Sequence, residues 1–288
     1  MEKARIIKIV SNRYEVLNER KERILCVAMG KLRQKKSPVV GDFVEIEQFD
    51  DQCGIQKILP RKNELIRPSI ANVDQAIIVM SAKDPDFSTT LIDRLIFLIT
   101  YADIKPVLCI TKLDLIEQDD PIYEEIAEYK RSGYEVYLSG KGYASDALIN
   151  ALKDKISVLT GQSGAGKSSL LNRIDPNFHL RTQEISKALG RGKHTTRHCE
   201  LHAIAGGWVG DTPGFSSMDF EHMEIEALAQ SIPDFREYQG QCRFNNCIHE
   251  SEPNCKIREK VDEGSISKTR YEHYLEIVTM IKQRKIKY

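Results

Sequence analysis

Apolar and polar residues alternate through the first quarter of the chain, a period of two that fits strands with one face in a core and the other in water. Segments 5–10, 14–17, 23–28 and 42–47 are short strand-like runs, several of them alternating in this way, punctuated by Gly30, Pro38, Gly41 and Gly54. Five or so such strands within residues 1–68 predict a small β-barrel of the OB type. The pattern then changes. Largely apolar strand-like runs at 75–80, 106–110, 134–138 and 156–160 alternate with segments of helical spacing at 91–101, 123–131, 146–153 and 168–173. The first of these reads as an amphipathic helix. Continuous apolar strands between helices predict an α/β domain over 69–220, its parallel sheet covered on both faces. Residues 221–288 read as mostly helical. There Tyr271, Tyr274, Leu275, Val278 and Ile281 recur at helical spacing, either as a packed stripe or as a partner-binding face.

The 42 basic and 42 acidic side chains cancel, so net charge selects no class of partner. Local charge says more: Lys31, Arg33, Lys35 and Lys36 form one cluster, and Lys282, Arg284, Lys285 and Lys287 another. Each is either a solvated face or a place for phosphates. No apolar run reaches the ~20 residues that span a bilayer, and the N-terminal residues lack an apolar signal core. A soluble cytoplasmic monomer that leaves membranes alone is the expectation.

Candidate chemistry begins at Gly161-Gln162-Ser163-Gly164-Ala165-Gly166-Lys167-Ser168. This matches the phosphate-loop pattern G-x-x-x-x-G-K-[ST], with a strand before it and a helix after. Glycines let the backbone N–H groups wrap a β-phosphate, Lys167 reaches the β- and γ-phosphates, and the Ser168 hydroxyl suits Mg²⁺. Thr111-Lys112-Leu113-Asp114 fits a guanine-reading element with Thr in the usual Asn position. Asp114 can accept hydrogen bonds from guanine N1–H and its 2-amino group, whereas adenine would leave that carboxylate unpaired. Ser139-Gly140-Lys141 ends a strand and fits a weaker base-contacting loop. Asp211-Thr212-Pro213-Gly214 fits a magnesium and γ-phosphate motif, with Asp211 toward the metal and the Gly214 N–H toward the phosphate. Gly190 to Thr196 reads as a switch-type loop, in which Thr195 or Thr196 completes the magnesium shell. Phe215 stands where a water-orienting Gln is usual, so His194 is the candidate to orient the attacking water. The guanine-reading element precedes the phosphate loop, the reverse of the common GTPase order. The chain therefore reads as circularly permuted.

Cys242, Cys247, His249 and Cys255 supply four ligands in the spacing Cys-x₄-Cys-x-His-x₅-Cys. Three thiolates and one imidazole suit one closed, tetrahedral, structural Zn²⁺. The remaining cysteines, Cys26, Cys53, Cys109 and Cys199, are scattered and read as core packing.

With these residues assembled, the chain resembles the ribosome small subunit-dependent GTPase A family. The residues that carry the likeness are the permuted order, Gly161 to Ser169, Gly190 to Thr196, Asp211 to Ser216 and the cysteine–histidine spacing. The resemblance implies an OB domain (1–68), a permuted GTPase domain (69–220) and a zinc domain (221–288). It implies Mg²⁺ with GTP, and binding to the 30S subunit and its 16S rRNA late in assembly. It further implies hydrolysis stimulated by the 30S particle and release on hydrolysis, and it supports His194 as catalytic. A GTP-gated RNA-binding switch with little catalytic role is the alternative, and Asp114 argues against an ATPase.

Overall fold

The computed structural model describes every residue except 11, 30–31, 33–36, 50–51, 66–68, 144, 177, 179–199, 212–219, 221 and 286–288. The alternating N-terminal runs form strands β1 (Glu2–Val10), β2 (Arg13–Asn18), β3 (Arg23–Ala28), β4 (Phe43–Phe49) and β5 (Gln52–Ile58). Pairing runs β1–β2–β3–β5–β4, and β4 returns to β1, which closes a five-stranded barrel. The β3–β5 pair is parallel and the other pairs are antiparallel. Ala4, Ile6, Val16, Cys26, Val44, Ile46, Cys53 and Ile55 fill its interior. A register shift between Ile6 and Lys8 buries both Ile6 and Ile7, as a bulge in a tightly curved strand does. Cys26 and Cys53 face each other across β3 and β5 as buried thiols outside any disulfide, and Cys109 is also buried and outside any disulfide.

Beyond the barrel come the short pair β6 (Glu64–Leu65) and β7 (Ile70–Ala71). Arg61 fastens this connector to the barrel through a buried bidentate pair with Asp42, Nε–Oδ1 at 2.6 Å and Nη2–Oδ2 at 2.7 Å. The α/β pattern then gives β8 (Gln75–Ser81), α1 (Thr89–Tyr101), β9 (Lys105–Thr111), α2 (Ile122–Arg131), β10 (Glu135–Leu138), α3 (Asp146–Leu152), β11 (Ile156–Gly161) and α4 (Lys167–Ile174). A hairpin, β12 (Glu200–Ile204) and β13 (Gly207–Asp211), follows. Its two turn residues, Ala205 and Gly206, both take positive φ, 53° and 75°, as a two-residue hairpin loop requires. The remaining helices are α5 (Ile225–Ser231), α6 (Pro233–Arg236), α7 (Lys256–Asp262) and α8 (Lys268–Lys285).

These elements divide between two compact units. One comprises Met1–Gln75, Ala144–Leu159 and Lys167–Gly214; the other comprises Ala76–Tyr143, Thr160–Gly166 and Phe215–Tyr288. In the first unit β12 pairs with β1 at Lys8–Glu200, where the two side chains form a 2.7 Å ion pair. There β13 lies parallel to β11. In the second unit the sheet order is β10–β9–β8, with β10 and β9 parallel. All seven residues of β8 are buried, which explains its unbroken apolar run.

Helix α1 departs from the amphipathic reading. Ile92, Asp93, Leu95, Ile96, Phe97, Leu98, Ile99 and Thr100 are all buried, because α5 and α8 pack over the helix as well. The stripe on α8 is packed: Tyr271, Tyr274, Val278 and Ile281 are buried, and Leu275 is half-buried. Tyr274 meets Phe97 and Phe235 edge to face at 6.5 and 5.3 Å. Beside this apolar seam sits a buried charge cluster. The Arg270 guanidinium pairs with Asp93 (3.2 Å), Glu128 (2.8 Å) and Asp234, and stacks between the rings of Tyr129 and Tyr134 at 4.6 and 4.9 Å. A guanidinium this deep needs several anionic partners to offset its lost hydration. No helix among the described residues is long and apolar enough to cross a membrane.

Candidate functional site

The phosphate loop leaves the end of β11 with Gly161, Gly164 and Gly166 at φ of 121°, 81° and 87°. That left-handed path is open to glycine and strained for other residues. Gly161 is required for a second reason: a Cβ there would lie 2.0 Å from the Val79 carbonyl oxygen of β8. Ala165 is fully buried. The chain then passes directly into α4, so Lys167 and Ser168 open that helix and Ser169 follows. Burial lowers the pKa of Lys167, the direction expected when an ammonium loses part of its hydration.

The candidate guanine-reading segment, residues 111–114, sits at the end of β9. The Thr111 hydroxyl is buried and donates to the Ala165 carbonyl oxygen at 2.6 Å, with the Met80 carbonyl oxygen at 3.2 Å. Thr111 thus ties the base-reading strand to the phosphate loop. Lys112 takes a left-handed φ of 57°, opens the short 3₁₀ turn Leu113–Leu115, and donates through Nζ to the Asp84 carbonyl oxygen. Leu113 is buried, and its N–H donates to the Ser139 carbonyl oxygen at 3.3 Å. Asp114 Oδ1 accepts from the Lys141 N–H at 2.9 Å. An ionised carboxylate has about four lone-pair sites, so Asp114 retains capacity for guanine N–H groups. Gly140 lets the loop come this close, since a Cβ there would stand 2.7 Å from Asp114 Oδ1. Ser139 is buried, and its N–H donates to the Ile110 carbonyl oxygen at 2.8 Å.

The second unit therefore brings together Thr111, Lys112, Leu113, Asp114, Ser139 and the loop from Gly161 through Gln162, Ser163, Gly164, Ala165 and Gly166. It also adds a segment that motif reading passed over. After β8 the chain turns at 82–86, where the Asp84 carbonyl receives Lys112 and Pro85 lies 3.6 Å from the position of a Cβ on Gly164. The available signal was positional: a buried strand ending at Ser81 puts the next residues at its carboxyl end, where ligands of such sheets bind. Asp211 ends β13, a strand parallel to β11. His194, Thr195, Thr196 and Gly214 lie outside the described residues.

A second constellation lies in the C-terminal segment. The ligand atoms of Cys242, Cys247, His249 and Cys255 all fall within 4.8 Å of one another. Cys242 Sγ is 3.7 Å and Cys255 Sγ 3.4 Å from His249 Nδ1, and the two sulfurs are 4.0 Å apart. A tetrahedron with metal–sulfur bonds of about 2.3 Å has edges of roughly 3.8 Å, so the four groups fit a metal ion. Burial lowers the pKa of His249, which keeps the imidazole neutral as a ligand must be. Burial pushes the Cys247 thiol up to about 12, a penalty on the thiolate that a bound dication would reverse.

The surrounding hydrogen bonds orient the ligands. Tyr271 and Tyr274 of α8 donate to the carbonyl oxygens of His249 and Ile248, each at 2.6 Å. The Glu252 carboxylate accepts the N–H groups of Ile248, Glu250 and Ser251 at 2.8, 2.9 and 3.1 Å. Supporting shells of this kind hold ligands in register.

Two family models match the chain: the RsgA N-terminal domain over residues 3–55 and the RsgA GTPase over residues 58–221. A small ribosomal subunit biogenesis GTPase RsgA from Bacillus subtilis (strain 168) is 48% identical, over 100% of both chains. The protein of the same name from Geobacillus thermodenitrificans (strain NG80-2) is 45% identical, again over 100% of both. Among solved structures, YloQ, a circularly permuted GTPase, is 42% identical with a TM-score of 0.83, covering 99% of this chain and 96% of that one. YjeQ from Thermotoga maritima is 35% identical with a TM-score of 0.83, covering 97% and 98%.

Proposed function

The chain belongs to the RsgA family of circularly permuted GTP hydrolases, and on that footing we propose that it spends GTP on late maturation of the small ribosomal subunit. The observation that carries this reading is the Thr111–Ala165 bond, which joins a guanine-reading element to a phosphate loop, in a chain matched end to end by small-subunit biogenesis GTPases. Thr111, Lys112, Leu113, Asp114 and Ser139 frame the guanine. Residues 161–169 hold the phosphates, with Asp211 and Gly214 on the γ-phosphate side. Magnesium bound with GTP supplies positive charge at the β- and γ-phosphates; Ser168 and Asp211, with Thr195 or Thr196, would hold it. His194 orients the attacking water. Cys242, Cys247, His249 and Cys255 would hold one zinc ion in a structural role.

In this reading residues 1–68 form an RNA-facing OB module, 69–220 the GTPase and 221–288 the zinc module. The partner is the 30S particle with its 16S rRNA, met by a monomer in the cytoplasm. GTP favours the bound state, and hydrolysis releases the protein. The test is a His194→Ala variant mixed with purified 30S subunits and GTP. It should bind, lose subunit-stimulated turnover by about a hundredfold or more, and stay on the particle. Normal turnover and normal release by the variant would remove His194 from the mechanism.

A further inference from the structure

The stretch between the first two metal-type ligands carries four exposed residues in a row: Arg243, Phe244, Asn245 and Asn246. Phe244 is 41% exposed and is the only exposed Phe, Tyr or Trp among the described residues of its unit. Its loop is pinned at both ends, since Cys242 and Cys247 turn into the four-ligand cluster. Within it the Cys247 N–H donates to the Phe244 carbonyl oxygen at 3.2 Å, and the Arg243 N–H donates to the Asn254 carbonyl oxygen at 3.3 Å. The Arg243 guanidinium sits 5.5 Å from the Phe244 ring centroid.

A phenyl ring held in water forgoes its burial energy, so its placement on a loop pinned at both ends points to a partner. The neighbouring groups define that partner's chemistry. They are one guanidinium and two amides, with no carboxylate in the run. The acids closest in sequence on the C-terminal side are engaged: Glu250 with Lys282, and Glu252 with three backbone N–H groups. Protein hot spots cluster several apolar side chains inside a water-excluding ring, whereas Phe244 is flanked along its exposed run by Arg243, Asn245 and Asn246. A nucleobase needs only one ring to stack on, a cation for its phosphate and amides for its edges.

We propose that this tip binds an unpaired nucleotide of RNA in the small ribosomal subunit, with Phe244 stacking the base and Arg243 meeting the phosphate. The assignment rests on the ribosomal reading above. The tip is a binding element, distinct from the nucleotide site.

The full-length chain, loaded with its metal, is the material for the test, and 30S subunits are the probe. Phe244→Tyr should bind subunits as the native chain does. Phe244→Leu and Phe244→Ala should each weaken binding by on the order of tenfold, with metal content and intrinsic GTP turnover unchanged because the ring is exposed. Equal binding by Phe244→Leu and the native chain would overturn stacking. In a second arm, Phe244 is replaced by photoreactive p-benzoylphenylalanine and irradiated on the subunit. Nuclease-sensitive adducts are expected; adducts with ribosomal protein alone, or none, would overturn the RNA assignment. If the native chain fails to bind 30S subunits at all, the ribosomal reading itself falls. If it binds and every Phe244 variant binds equally, only the tip assignment falls.

Discussion

Thr111 shows how a single side chain can join two candidate ligand-binding segments. Its hydroxyl is spent on the Ala165 carbonyl inside the phosphate loop. Thr111→Val keeps the shape and removes that donor, which leaves a buried carbonyl unpaired at a cost of about 1–3 kcal/mol. GDP affinity should fall by about tenfold, while the preference for GDP over IDP, which lacks the 2-amino group assigned to Asp114 under the proposed function, stays the same. Isothermal titration with both nucleotides checks this; a collapse of the GDP preference would make Thr111 a base contact instead. Sequence spacing pointed to this position as part of the guanine element but could not show where the hydroxyl goes, because Ala165 is 54 residues away. The same holds for Asp84: a backbone carbonyl that receives Lys112 carries no side-chain signature.

At the scale of elements, the strands and helices that bury a regular face were legible, and those that answer to distant neighbours were not. Helix α1 reads as one-sided by period. It is buried almost all round because α5 and α8, more than a hundred residues later, cover it. Strand β5, interrupted by Gly54, and the β12–β13 hairpin gave weak patterns; pairing with the barrel and with β11 fixes them.

The contact of α1 with α8 is titratable. A hydrogen bond to Asp93, Nδ1–Oδ2 at 2.6 Å, raises the pKa of His273 above its usual range, against the opposing effect of burial; Glu276 adds to the rise and Arg94 opposes it. The folded state therefore holds this proton more tightly than the unfolded state. Its stabilisation is complete below about pH 6.5 and is lost as pH rises through the higher folded value. Thermal melts at pH 6 and pH 8 should show a loss in the native chain that His273→Gln lacks; parallel losses would rule the contact out as the sensor.

The metal loop makes a separate prediction. The native chain should carry one zinc per molecule by elemental analysis. Cys255→Ala should carry none and lose hydrogen-exchange protection across 242–262, while β1–β5 keeps its protection, since a site of this type supplies its loop's folding energy. A metal-free native chain with a protected loop would refute the metal assignment.

At the scale of the whole molecule, the order of motifs was the most legible feature. The candidate guanine element at 111–114 precedes the phosphate-loop motif at 161–168, and family members and a solved circularly permuted GTPase match nearly the full length. What motif order could not show is how the chain is partitioned. The phosphate-loop stretch Thr160–Gly166 groups with the guanine element and the cysteine–histidine segment, while α4 and β13 group with the barrel. Contact over long sequence separations produces that division, and no local pattern encodes it.

The most direct test is GTP hydrolysis by the purified protein with and without 30S subunits, with ATP as the control. Slow turnover of GTP alone, raised on the order of 10³-fold or more by subunits and absent for ATP, is the predicted result. Turnover indifferent to 30S subunits would contradict the ribosomal role, and equal use of ATP would contradict the guanine site built on Asp114.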